Sequence, residues 1–273
     1  MLRLSKILIS PKWGVNVIKS KAQLRYNTVI AGTDQSCKDY MESCRINGSS
    51  VKSTVFKGTL YEFATKTFLE NNLKCFDIIR KGGAFDNGID LVGKWDLSHF
   101  FKKNEKSIKE IENIDGSTII PIISNSKELQ TLLKNDNMKN TISMKSDINV
   151  LVQCKNHKAK IKASVIRELV GIYTHHIKTE EQKQSTIMML VSPAPLTKQA
   201  QSYVEQTSLP LIHVMMSPLT LRDLTVKGDE IYNLKYWRGG RIDSIYLNSY
   251  SKLLLKYLNI ELEFQKIKRL ILV

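Results

Sequence analysis

No apolar run in the 273-residue chain approaches the roughly 18 residues a membrane-spanning helix needs, so no span is expected. Cysteine is scarce as well, at Cys37, Cys44, Cys75 and Cys154 only. None of these forms a CxxC pair, and no histidine stands at ligand spacing from them, which argues against a zinc site. A disulfide framework would be out of place in a chain of this length. Cys75 and Cys154 sit in apolar runs and are expected to behave as small buried hydrophobes. Acid is missing from the start: residues 1–33 carry Arg3, Lys6, Lys12, Lys19, Lys21 and Arg25 but no carboxylate before Asp34. No internal repeat is present.

What remains is an ordinary globular composition, 42% hydrophobic and 25% charged, with 41 Lys plus Arg against 26 Asp plus Glu and a formal charge of +15. Such an excess of base favours a polyanionic partner: DNA, RNA or an anionic membrane surface. The acid-free start also contains Leu2, Leu4, Ile7, Leu8 and Ile9 among its bases. Residues 1–28 therefore read as a mitochondrial transit peptide, cleaved shortly after Arg25, and the chain as a protein of the mitochondrial matrix. A basic arm that binds nucleic acid is the other reading of the same stretch.

Residues 29–53 are polar and read as a linker. Leu60, Phe63, Ala64, Thr67 and Phe68 recur at helical spacing and predict an amphipathic helix over 59–72. Strands are expected at 75–80 and 89–93. Residues 96–147 are rich in Lys, Asn and Ser and read as an insertion. Beyond it, strands are predicted at 148–155, 187–191 and 209–216, and helices at 165–177 and 198–205. Strands alternating with helices argue for an α/β sheet, here a domain over 54–226. The rest, 227–273, reads as a basic and aliphatic C-terminal extension.

Three pieces of this pattern carry chemistry. Gly58-Thr59-Leu60-Tyr61-Glu62 opens the first helix. Gly82-Gly83-Ala84-Phe85-Asp86-Asn87-Gly88 is turn chemistry leading into Ile89-Asp90-Leu91. Val152-Gln153-Cys154-Lys155-Asn156 ends a strand whose alternation sets Gln153 and Lys155 on one face. A Gln and a Lys ending an apolar strand are costly to bury without partners, and Asp90 raises the same question. If the two strands are neighbours, Asp90 and Lys155 meet at a strand-end cleft. There a carboxylate can hold a hard cation and an ammonium can meet phosphoryl charge.

The ordered set Gly-x-x-x-Glu, Gly-Gly-x-x-Asp-x-Gly-x-Asp-Leu and Gln-Cys-Lys-Asn resembles the Mrr-like branch of the PD-(D/E)XK superfamily. The resemblance covers 58–94 and 148–216, including the helix with Arg167-Glu168-Leu169-x-Gly171. It implies a restriction-endonuclease-like core, a mixed central β-sheet flanked by helices, with the insertion lying between the motif strands. It also implies metal-dependent cleavage of DNA, with Asp90, Gln153 and Lys155 at the active positions. Mg²⁺ or Mn²⁺ would be held by Asp90, the amide oxygen of Gln153 and the backbone carbonyl of Cys154. Glu62 lies off the apolar stripe by helical phase; the resemblance alone gives it a role, supporting the metal or the lysine. Gln153 carries no negative charge, so metal affinity leans on Asp90 and on Glu62 or Asp86.

Phosphate contacts are expected from Lys158, Lys160 and Lys162, and from Arg238 and Arg241 in the tail. The interleaved aliphatic residues of that tail read equally as packing surface. The expected activity is hydrolysis of mitochondrial DNA in genome maintenance or turnover, with a homodimer as one way to cut two strands. Two rival readings are a nucleic-acid-binding module of the same fold without turnover, and a matrix assembly or translation factor.

Overall fold

Every residue of the strand Thr186–Ser192 is buried, the mark of a strand covered on both faces. It lies at the centre of the sheet in the computed structural model, which describes residues 34–81, 88–97, 100, 148–179, 182–183, 185–255, 260–261 and 264–265. The expected transit peptide, the turn at 82–87 and nearly all of the 96–147 insertion fall outside the described residues.

The elements run in the order α1 (Asp34–Ile46), α2 (Thr54–Phe68), β1 (Cys75–Arg80), β2 (Leu91–Trp95), β3 (Ile148–Cys154), α3 (Ala163–His176), β4 (Thr186–Ser192), α4 (Lys198–Glu205), β5 (Leu211–Met216), β6 (Thr220–Leu221), β7 (Trp237–Arg238), β8 (Ile242–Leu247) and α5 (Ser249–Leu254). Six strands form one sheet in the order β1-β2-β3-β4-β5-β8, and β6 and β7 form a small separate pair. The sheet is mixed: β3, β4 and β5 are parallel, while β1, β2 and β8 join antiparallel. This is the α/β architecture expected from the alternation of strand and helix patterns.

Strand alternation divides the core in two. Ile187, Met189 and Val191 of β4 face α1 and α2, packing with Phe56, Leu60 and Ala64. Met188 and Leu190 face α3 and α4, packing with Ile166, Leu169, Ala200 and Val204. The sheet is thus a middle layer between two helical ones. Among the described residues no helix is long and apolar enough to cross a membrane.

Helix α2 starts five residues earlier than the apolar spacing predicts, because the Ser53 hydroxyl caps it, accepting from the Phe56 amide at 3.0 Å. It runs on into a π-helical turn, Leu69–Leu73, closed by Lys74 at φ 63.

Two expected boundaries are corrected. Within the supposed linker 29–53, α1 buries Cys37, Met41 and Cys44 at i, i+4 and i+7. The supposed extension 227–273 supplies β8, a full partner of β5, and Trp237, whose ring lies 5.6 Å from that of Phe56. The described parts of both segments contribute to the core. The side chains of Cys37, Cys44 and Cys75 are buried, as the apolar run around Cys75 predicts, whereas Cys154 is partly buried.

Candidate active site

Where β2 begins and β3 ends, the ladder between them is continued by a side chain. The Asp90 amide donates to the Val152 carbonyl at 2.9 Å and the Asp90 carbonyl accepts from Lys81 at 2.8 Å. Asp90 Oδ2 then accepts the next amide, that of Cys154, at 2.6 Å. The carboxylate therefore stands where a backbone carbonyl would otherwise be, fixed at the strand-end edge. Gly88, at φ +76, packs closely on the α3 side of this edge: a Cβ there would lie 2.4 Å from Ile172 Cδ1 and 3.5 Å from Gln153 Nε2.

Gln153 is 3% exposed and pairs across the sheet with Leu190 on the α3 side. Its Nε2 donates to Glu168 Oε1 at 3.3 Å. Its Oε1 is buried and has no hydrogen-bond partner among the described residues. An orphaned buried acceptor is costly and is rare in folded proteins. Lys155, two residues on and on the same face, reaches the same Glu168 Oε1 at 3.3 Å. Glu168 thus bridges the amide and the ammonium, a role that spacing alone did not indicate. The available signal was its place in the Arg167-Glu168-Leu169 helix, which the family resemblance already included.

On the other face Cys154 turns toward α2. Burial drives its thiol well above the usual cysteine range, and the Asp90 carboxylate adds to that rise. Both effects favour the protonated thiol over the thiolate. Nearby, Glu62 Oε2 accepts from Arg80 Nε at 2.5 Å, and Arg80 Nη2 donates to Thr59 Oγ1 at 3.3 Å. Arg80 ends β1, so it reaches the same sheet edge as Asp90 and Cys154. Composition and spacing had not singled it out.

The expected phosphate contacts fall in two places. Lys158, Lys160 and Lys162 are exposed on the loop that follows Lys155. Buried Ile161 anchors this loop, its amide donating to Pro195 at 3.0 Å, so Lys160 and Lys162 are turned outward. Arg241 precedes β8 at the same sheet edge, three strand spacings from β3 or about 14 Å. It is paired with Asp243 at 3.3 Å. Arg238 is exposed on β7. The fold gathers Asp90, Gln153, Lys155 and Glu62 around one strand end and leaves Arg241 three strands along the same edge and Arg238 on the separate β6–β7 pair. Asp86 lies outside the described residues.

A mixed six-stranded sheet between helical layers, with an acid, an amide and a lysine at one strand-end edge, defines an α/β protein with a polar strand-end site. The chain belongs to the Required for respiratory growth protein 7 family, which it matches over residues 53–255. It is similar to the protein named "Required for respiratory growth protein 7, mitochondrial" of Vanderwaltozyma polyspora, 33% identical over 223 residues, 79% of this chain and 81% of that one. The protein of that name from Saccharomyces cerevisiae is 29% identical over 234 residues, 81% of this chain and 86% of its own. The one from Candida glabrata is 31% identical over 184 residues, 66% and 69% of the two chains. No solved structure matches the chain. The matched span includes α2 and β8, consistent with one continuous domain reaching past residue 226.

Proposed function

We propose that this chain is a metal-dependent nuclease with a restriction-endonuclease-like core, acting on mitochondrial DNA in the matrix and so required for respiratory growth. The observation that carries the reading is the meeting of Asp90, Gln153 and Lys155 at one strand end, with the Gln153 Oε1 buried and unpartnered among the described residues. A buried amide oxygen and a fixed carboxylate at one strand end are both oxygen donors suited to a hard cation. The mitochondrial setting and the link to respiration follow the names of the relatives.

Asp90, Gln153 Oε1 and the Cys154 carbonyl would hold Mg²⁺ or Mn²⁺, whose chemistry is to polarise a phosphoryl oxygen and acidify bound water. With three protein donors, only one of them a carboxylate, such a site would leave about half of an octahedral ion's coordination to water. Asp90 holds its place through the Cys154 amide, so its charge is presented without side-chain reorganisation. Lys155, steadied by Glu168, supplies positive charge where negative charge develops on the phosphate. Lys158, Lys160 and Lys162 extend that positive field along the adjacent loop.

The test is cleavage of duplex, single-stranded and flapped DNA, and of RNA, by the purified chain with Mg²⁺, Mn²⁺ or EDTA. Metal-dependent cleavage lost in both Asp90→Ala and Lys155→Ala is the expected result. Wild-type cleavage by Lys155→Ala would sink the proposal. A second reading, a nucleic-acid-binding module without turnover, is favoured by one fact: among the described residues no three His, Cys, Asp or Glu side chains group as a metal site. Tight, salt-sensitive binding without any cleavage would select it.

A further inference from the structure

Arg80 reaches the site only through an irregularity in β1. Phe76 pairs with Lys94 and Ile79 with Val92, so two residues, Asp77 and Ile78, oppose the single residue Gly93. Asp77 takes φ 52, the left-handed region, to make this bulge. A Cβ on Gly93 would meet Ile78 Cδ1 at 2.3 Å and both Ile78 Cα and the Phe76 carbonyl oxygen at 3.1 Å, so the bulge needs glycine opposite it.

The extra residue inverts the alternation of β1. Cys75 and Ile78, an odd number of positions apart, both enter the core on the α2 side. Arg80, two residues past Ile78 and paired with Leu91, falls on that same side. In a regular strand continuing from Cys75 it would fall on the other. There it meets Glu62 and Thr59, and its guanidinium lies over the Phe63 ring, 5.6 Å from the centroid.

The strand end is consequently flanked by two cations, each held by a glutamate of its own helical layer. Lys155 with Glu168 lies on the α3 face and Arg80 with Glu62 on the α2 face. β1 and β3 are two strand spacings apart, about 10 Å, with Asp90 between them at the start of β2.

We infer that Arg80 is a second phosphate-binding residue of the site, and that Glu62 and Thr59 are its positioning residues. A nucleic-acid backbone crossing the edge at Asp90 meets Lys155 from one face of the sheet and Arg80 from the other. The guanidinium keeps donors to offer a phosphate while two of its nitrogens are engaged by Glu62 and Thr59. Glu62 thereby acts through Arg80, in place of the metal role that the family resemblance implied. The inference rests on the nucleic-acid reading above but not on turnover.

The test measures binding of the full chain to labelled duplex and single-stranded oligonucleotides in EDTA, as a function of salt. Arg80→Ala is expected to lower the slope of log K against log salt by about 0.9 on duplex and about 0.7 on single strands, one phosphate contact. Arg80→Lys keeps the charge and is expected to restore the slope. Glu62→Gln is expected to keep the slope and weaken binding severalfold, and to add nothing in the Arg80→Ala background. Should Arg80→Ala fail to fold, Arg80→Gln, which retains length and a donor for Glu62, gives the same reading. Wild-type slope and affinity in a folded Arg80 variant would overturn the inference while leaving the nuclease proposal standing. Absence of nucleic-acid binding by the wild-type chain would overturn both.

Discussion

Asp90 completes the β2–β3 ladder with its side chain, its Oδ2 taking the Cys154 amide at 2.6 Å. The residue therefore has a structural duty as well as the proposed chemical one, and substitutions should separate them. Asp90→Ala leaves a strand-end amide without its acceptor and is expected to cost about 1–3 kcal/mol. Asp90→Asn keeps an acceptor oxygen and should lie close to wild type in thermal unfolding. If the carboxylate holds the metal, Asp90→Asn loses cleavage by about 100-fold or more while remaining folded, and parallel unfolding and cleavage measurements check this.

His213 is buried with its Nε2 2.8 Å from the Ser192 hydroxyl, and burial pushes its pKa from 6.5 down to about 4. The sign of the pH effect follows. Above pH 6.5 both folded and unfolded chains hold it neutral. As pH falls below 6.5 the unfolded chain takes the proton first, and stability declines until about pH 4, where the folded chain takes it too. The loss amounts to about 3 kcal/mol. His213→Gln should flatten this part of the stability profile, and chemical denaturation of both proteins from pH 7.5 to 4.5 measures the difference.

Gly93→Ala places a methyl group against the backbone of the β1 bulge. Overpacking of this kind is expected to destabilise by about 1–3 kcal/mol. Its second consequence is functional: a bulge forced to rearrange turns Arg80 away from Glu62. The variant should then show the reduced salt slope expected of Arg80→Ala, and binding titrations on the folded fraction test it.

Met41, 1% exposed on α1, packs into the same core as Phe56. Met41→Ala is expected to cost about 2–5 kcal/mol, as for other buried methionines. Were α1 only a tether, unfolding of the variant would match wild type.

The three parallel strands and helices α3 and α4 were legible in the sequence because each repeats an apolar period over its own length. Helix α1 was not. Its buried face consists of two cysteines and one methionine among thirteen mostly polar residues, too weak a stripe to announce itself. Strand β8 was hidden for another reason: Ile242–Leu247 has only its two end residues fully buried, and its pairing with β5 spans some thirty residues of chain.

At the site, Asp90, Gln153 and Lys155 could be picked out because polar residues within apolar runs are conspicuous wherever the strand ends up. Their partners were decided by the tertiary structure. Glu168 and Arg80 stand on elements that look ordinary by themselves, and the side of the sheet on which Arg80 lies is inverted by a bulge. Which segments bury and which residues cannot be buried without a partner are written in the residue order itself, since both are local consequences of side-chain chemistry. Which carboxylate meets which cation was settled only when the sheet brought distant strand ends to one edge, because an ion pair depends on separation in space and local periodicity carries no record of it.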